Sequence, residues 1–261
     1  MHPIAIQLGP IAIHWYGVLV AAGFLAGIWT ASIHGRSVGI KTEVMMDLGI
    51  WMIVAGIVGA RIFYVIGNWE EFSTNLTEIV RVDHGGLVFY GGFILSTLTA
   101  IWFVRRNHLN FWQLVDACAP SLALGHAFGR IGCFMHGCCF GKVCSLSWAV
   151  RFPRTFDDHG RLLPPYGLPV HPTQIYESIG NLLIFAGLWV FYSKRKFDGQ
   201  VFWLYVVVYA LFRFSIEFFR GDYTEYFLGN RLAPGQMVAV IMVAVAAVFL
   251  WRLPRTRLEV K

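Results

Sequence analysis

Residues 129–144 read GRIGCFMHGCCFGKVC and gather an arginine, a histidine, a lysine and four cysteines directly after an apolar run. Thiols at this density can form disulfides, hold a metal or carry redox chemistry. Four cysteines allow three pairings, between which sequence does not choose. Cys133, Cys138, Cys139 and Cys144 have the spacing of neither a CxxC redox motif nor a zinc ribbon, although His136 among them keeps metal ligation in view. Disulfide, free thiols, metal and catalytic redox all stay open here, whereas Cys118 lies inside an apolar stretch and reads as core.

A second set of reactive residues is scattered along the chain. Arg61, Arg130 and Arg213 fall within or at the ends of apolar stretches, where an ionised side chain costs at least ~2.5–3.5 kcal/mol and needs a reason. Glu217 follows Arg213 by four residues on the same helical face, and Arg220 continues the stripe. His14, Trp15 and Tyr16 open one apolar stretch, His84 and Tyr90 flank the start of another, and Gln236 opens the last. HPTQIYES at 171–178 places His171, Gln174, Tyr176 and Glu177 at a helix start, with Gln174 and Glu177 three apart on one face. The planar fork of arginine matches phosphate oxygens, so the set points to an anionic lipid headgroup. The plainer alternative is a network of interfacial anchors and structural ion pairs.

The elements that must position these residues are apolar helices. Of the 261 residues, 57% are hydrophobic and 14% charged, against about 25% charged in soluble domains. Seven stretches approach the ~20 residues of a spanning helix: 12–33, 43–66, 86–104, 112–130, 174–193, 200–219 and 233–252. The expected fold is an all-α polytopic membrane protein, one integral-membrane domain over 1–261 with a small extracytoplasmic head at 131–173. The first stretch lacks the basic flank of a cleavable signal. Alternate loops carry Arg36 and Lys41, then Arg105 and Arg106, then Lys194 to Lys196, and finally Arg252, Arg255, Arg257 and Lys261. Positive residues mark the cytoplasmic side, so the N-terminus is expected outside and the C-terminus inside. Arg61, Arg130 and Arg213 are then expected at similar depth beneath the outer face. The same rule accounts for the net charge of +6, with no nucleic-acid partner expected.

Taken in order, HWYG at 14–17, GARIFY at 59–64, GGLVFYGG at 85–92, GRIGCFMHGCCFGK at 129–142, HPTQIYE at 171–177, RFSIEFFR at 213–220 and LAPGQ at 232–236 resemble bacterial prolipoprotein diacylglyceryl transferases. The resemblance covers about residues 10–250 and lies in the ordered set more than in any one motif. It implies transfer of the diacylglyceryl unit of phosphatidylglycerol to the lipobox cysteine thiol of a prolipoprotein signal peptide, forming a thioether and releasing glycerol-1-phosphate. It further implies a multi-pass protein of the bacterial inner membrane, a site facing the outer leaflet, and no metal or organic cofactor.

Residue by residue, the resemblance makes Arg130 and Arg213 the phosphate-binding arginines, Glu217 the partner of Arg213, and Tyr16 an essential tyrosine. Tyr90 stands where relatives often carry a histidine proposed as base, Cys133 where they often carry asparagine, and Cys138 where they often carry glutamate. Arg61, His84, Gly141, His171, Gln174, Tyr176, Glu177 and Gln236 are expected to bind substrate. With a tyrosine at position 90, the base passes to Glu217, His84, His136 or the lipid phosphate itself. The competing expectations are a membrane thiol-redox or metal-handling protein built on the cysteines, and a lipid-binding relative without turnover.

Overall fold

The computed structural model describes residues 4–9, 11–73, 75–81, 85–154, 162, 164–221 and 233–253. Each of the seven apolar stretches carries a long helix: α1 (Trp15–Arg36), α2 (Thr42–Gly67), α4 (Phe89–Arg106), α5 (Phe111–His136), α6 (Thr173–Tyr192), α7 (Gln200–Ile216) and α8 (Pro234–Arg252). One-turn α3 (Trp69–Ser73) and a 3₁₀ turn (Leu76–Val80) lie between α2 and α4. Among the described residues, four helices, α1, α2, α6 and α8, are long and apolar enough to cross a membrane, and α7 is apolar but shorter. Large apolar side chains stand exposed on their outer faces, among them Leu25 and Trp29 on α1, Ile66 on α2, Leu183 on α6 and Trp251 on α8. A helix surface this apolar is matched by hydrocarbon, not water. The chain is a multi-pass helical membrane protein.

Two boundaries differ from expectation. α5 continues to His136, so residues 131–136 extend that helix instead of opening the head. α4 starts at Phe89, not 86, because Gly85 and Gly86 take left-handed backbone and their carbonyls are drawn to Arg61.

The chain packs as two compact units, Met1–Ala31 with Val115–Lys261, and Ser32–Leu114. In the second, α2 lies against α4 on small residues. A Cβ on Gly91 would run into the carbonyl of Gly59, one on Gly59 would stand 2.6 Å from the Leu95 Cβ, and Val88 N–H donates to Ala60 O at 3.0 Å. Small residues let helix backbones approach closely where lipid gives no hydrophobic drive.

The first unit opens with the hairpin β1 (Ile4–Leu8) and β2 (Ile11–His14), which leads into α1. Here α1 meets α5 through the Thr30 and Ser121 hydroxyls, 2.8 Å apart, and α5 meets α6 where Ser178 Oγ donates to Ala127 O at 3.0 Å. α7 and α8 stack Trp203 on Phe249, with ring centroids 4.4 Å apart. The start of α7 is tied to α5 by Asp116, fully buried, whose carboxylate accepts from Gly199 N–H at 2.7 Å and Phe202 N–H at 2.8 Å. An anion at a helix N-terminus satisfies donors that the helix itself leaves unpaired.

Candidate active site

The loop after α5 is fixed from three sides, all within the first unit. Cys138 N–H returns to Cys133 O at 3.2 Å, and Gly141 N–H donates to His171 O at 2.9 Å. Lys142 N–H donates to Phe219 O at 2.8 Å and its carbonyl accepts from His171 N–H at 3.0 Å. Gly141 forms an antiparallel bridge with Arg220, and Val143 one with Val170, beside the short pair β3 (Val150–Arg151) and β4 (Pro169–Val170). Gly141 has no room for a side chain, since a Cβ would stand 2.6 Å from both His171 Cβ and Phe219 O. Its value is therefore the crossing it permits.

The first turn of α6 holds the same loop. Thr173 Oγ1 donates to Cys139 O at 2.8 Å and Gln174 Nε2 to Cys138 O at 2.7 Å, both from fully buried side chains. A turn further, Glu177 points its carboxylate into an ionic cluster. Arg130 Nε, on α5, lies 2.9 Å from Glu177 Oε2, and Arg220 Nη1 lies 3.8 Å from Oε1. Arg213 Nη1, in the last turn of α7, pairs with Glu217 Oε2 at 2.7 Å, and Arg213 lies within electrostatic reach of Glu177. Both carboxylates are buried, while the guanidinium side chains of Arg130 and Arg213 remain 22% and 15% accessible. The cluster thus gathers three guanidinium groups and two carboxylates, with Arg130 and Arg213 partly accessible and Arg220 buried.

Aromatic and imidazole groups surround this cluster. Tyr209, on α7, is within electrostatic reach of Arg130, Arg213, Arg220 and Glu177. His126 stands between Tyr209, with ring centroids 5.1 Å apart, and the Tyr205 hydroxyl, 3.2 Å from its Nδ1. His171 Nδ1 lies 3.4 Å from the Tyr176 hydroxyl, which accepts from Trp148 Nε1 at 2.7 Å. Tyr16 is half-exposed and packs over Gly132, its ring 6.3 Å from that of His136.

All five cysteines are thiols. The sulfur atoms of Cys133, Cys138 and Cys139 lie within 4.8 Å of one another. In the loop, the Cys139 thiol is held well below the ordinary thiol range. Hydrogen bonds from the Cys133 and Cys138 thiols are the first cause, and the Arg130 and Arg220 cations add to it against burial. Hydrogen bonds with Cys133 and Cys139, and then burial, push the Cys138 thiol up.

Most of the expected site residues therefore converge. Arg130, Arg213, Glu217 and Glu177 form the ionic cluster, and Gly141, His171, Gln174 and Tyr176 build its floor. Tyr16 sits beside the signature helix. Gln236 is buried and its Oε1 accepts from Ala233 N–H at 3.1 Å, so it caps the start of α8. That start abuts Glu217, for a Cβ on Gly235 would stand 2.6 Å from Oε1. Arg61 and Tyr90 belong to the second unit, where Tyr90 is exposed next to Phe89. Arg61 is buried and turned onto main-chain carbonyls: Nε donates to Ile79 O at 2.9 Å, Nη1 to Gly85 O at 2.7 Å and Gly86 O at 3.1 Å, and Nη2 to Glu78 O at 2.6 Å. His84 lies outside the described residues. Sequence reasoning missed Asp116, Tyr209 and His126. For Asp116 the signal was present, a lone carboxylate deep in an apolar stretch.

The family model for prolipoprotein diacylglyceryl transferase matches residues 3–252. A phosphatidylglycerol–prolipoprotein diacylglyceryl transferase of Finegoldia magna is 35% identical over 246 residues, covering 94% of each chain. Relatives of the same name from Bacillus mycoides and Bacillus cereus are 34% and 33% identical over 258 residues, each covering 95% of this chain and 90% of the relative. On this near-complete coverage, and with the signature loop and HPTQIYE block meeting at one ionic cluster, the chain belongs to the prolipoprotein diacylglyceryl transferase family.

Proposed function

We propose that this chain transfers the diacylglyceryl group of phosphatidylglycerol to the cysteine thiol of a prolipoprotein signal peptide. The thiolate electron pair forms the sulfur–carbon bond as the glyceryl carbon–oxygen bond breaks. That bonding pair leaves with glycerol-1-phosphate, whose phosphate takes up the proton that the thiol gives up. The observation that carries this reading is the state of Arg130. Among the described residues Glu177 holds it through Nε, which fixes the plane of the fork and leaves both terminal nitrogens for a phosphate. Arg213, oriented by Glu217, supplies a second cation to the charge that grows on the departing phosphate. Preorganised donors aimed at developing charge are among the largest contributors to catalysis in a low-dielectric site.

Tyr16, His171 and Tyr176 lie around this cluster as substrate contacts. Gln174 and Gly141 act by holding the loop, and Gln236 by starting α8 against Glu217. Arg61 is a positioning residue for residues 78, 79, 85 and 86, because four of its five N–H donors are already taken by their carbonyls. Tyr90, exposed at the start of α4, is assigned a hydrogen-bonding role and not that of a base, since a neutral phenol is a weak proton acceptor. The family membership disfavours the alternative of a thiol-redox or metal-handling protein. We further place the chain in the bacterial inner membrane as one transferase domain of seven spans. Its N-terminus is outside, its C-terminus is cytoplasmic and its site faces the outer leaflet. Basic residues at the ends of α1, α4 and α8 support this orientation.

Transfer of labelled diacylglycerol from phosphatidylglycerol to a lipobox peptide tests the reading. Arg130→Ala and Arg213→Ala should each lower the rate by about 10²–10³-fold, the size seen on removing one oxyanion donor. A folded wild-type protein without transfer, or variants as fast as wild type, would overturn it.

A further inference from the structure

The reaction above leaves the thiol cluster without a task. Cys133 lies in the last turn of α5, and Cys138 and Cys139 sit in the loop that α6 clamps. The three sulfurs converge within 4.8 Å although they come from two backbone segments. Cys139 joins the cluster from a left-handed backbone conformation, φ +63°. A residue with a Cβ pays about 1–2 kcal/mol for that conformation, and such strain persists where the surroundings over-determine it. Cys118 and Cys144 take no part, and among the described residues no further His, Cys, Asp or Glu joins the group.

We propose that Cys133, Cys138 and Cys139 form a three-thiolate site for one thiophilic divalent cation of the zinc class. The geometry favours a metal over a disulfide. Zinc–sulfur bonds of about 2.3 Å put the sulfurs of a tetrahedral site about 3.8 Å apart, inside the 4.8 Å that bounds the present separations. A disulfide requires about 2.05 Å and would use only two of the three thiols that converge here. Three thiolates around a divalent ion carry one net negative charge, and Arg130 and Arg220 lie within electrostatic reach of Cys139 to receive it. With three protein ligands the fourth position is open to water or a small ligand, the pattern of reactive rather than purely structural zinc sites.

The test uses the full-length protein in detergent, reduced and then freed of reductant, titrated with Cd²⁺ and separately with Zn²⁺. One equivalent of Cd²⁺ should raise sulfur-to-metal charge-transfer absorption and shield three thiols from alkylation as read by mass. Cys133→Ser, Cys138→Ser and Cys139→Ser should each weaken binding by at least about tenfold, the lower end of what loss of a mere supporting residue costs a metal site. Cys118→Ser and Cys144→Ser should bind as wild type. X-ray absorption on the unmutated zinc-loaded protein needs no variant to fold and should show three sulfurs at about 2.3 Å. Absence of stoichiometric binding by the reduced wild type, or fewer than three sulfurs around zinc, would overturn the proposal. Because every readout is binding, failure of the transferase reading would leave these outcomes unaltered.

Discussion

Arg61 and Arg130 are both arginines carried by long apolar helices, and the two units neutralise them in opposite ways. Arg61 is surrounded by oxygen that bears no formal charge: four contacts go to carbonyls of residues 78–86, with Tyr64 and Phe72 lying 5.6 and 5.2 Å from the guanidinium carbon. Arg130 instead meets a carboxylate, and that carboxylate also faces Arg220. The first arrangement uses four of the five donors and ties main-chain carbonyls together. The second fixes one edge of the guanidinium and keeps the rest accessible, which is what binding an anion requires. An arginine within an apolar helix is thus not by itself evidence of a site; the kind of group that faces it decides.

The sharpest break of this contrast is Glu177→Gln. Removing the carboxylate leaves Arg130 and Arg220 facing each other without their shared counter-charge, and breaking a buried pair from one side typically costs about 3–5 kcal/mol. The thermal midpoint of the detergent-solubilised protein should fall markedly, and transfer with it. An unchanged midpoint would mean that the cluster is not held by this ion pair.

Arg61→Lys is the matching experiment on the other unit, with a smaller effect. Lysine keeps the charge but presents a point donor in place of a fork, so two or three of the four carbonyl contacts are lost, at about 1–3 kcal/mol. Hydrogen exchange in segments 76–81 and 85–88 should rise, while KM for phosphatidylglycerol stays at the wild-type value. A higher KM with no change in exchange would instead make Arg61 a lipid ligand.

Asp116→Asn probes a third way of placing charge in an apolar helix, a carboxylate spent on backbone donors. Asparagine keeps one acceptor oxygen, so either Gly199 N–H or Phe202 N–H loses its partner, at about 1–3 kcal/mol for a buried donor. The expected readout is a lower unfolding midpoint with kcat and KM nearly unchanged. A selective fall in kcat would place Asp116 in the chemistry.

These cases show why part of the molecule could be read from its sequence and part could not. Apolar length alone located all seven long helices, because hydrophobic run length is a local property. The pairing of Arg213 with Glu217 was equally local, being one helical turn. The partner of Arg130 was not, since Glu177 arrives from a helix 47 positions along the chain. Nor could the pattern tell Arg61 from the others: its partners are carbonyls, and every residue has one. Asp116 shows the same limit, for it binds two backbone N–H groups that leave no trace in residue identity. The glycine pairs of GGLVFYGG divide between two tasks for a similar reason. Gly91 and Gly92 face α2, whereas Gly85 and Gly86 offer carbonyls to Arg61, and composition does not separate packing from ligation.

The smallest expected effect is the most direct check on the contrast. Glu78 supplies Arg61 with its carbonyl at 2.6 Å, while its carboxylate pairs with Arg81 at 3.0 Å, both side chains being substantially exposed. If Arg61 is held by backbone, Glu78→Gln removes a negative charge near it and leaves the clasp whole. Exposed pairs of this kind are worth about 0–1 kcal/mol, so the midpoint should move little and exchange in segment 85–88 should match wild type. The same change of Glu to Gln at 177 is expected to be several times more damaging. Equal losses at the two positions would show that net charge around the arginines matters more than the identity of the atom in contact, and the distinction between the two units would fall with it.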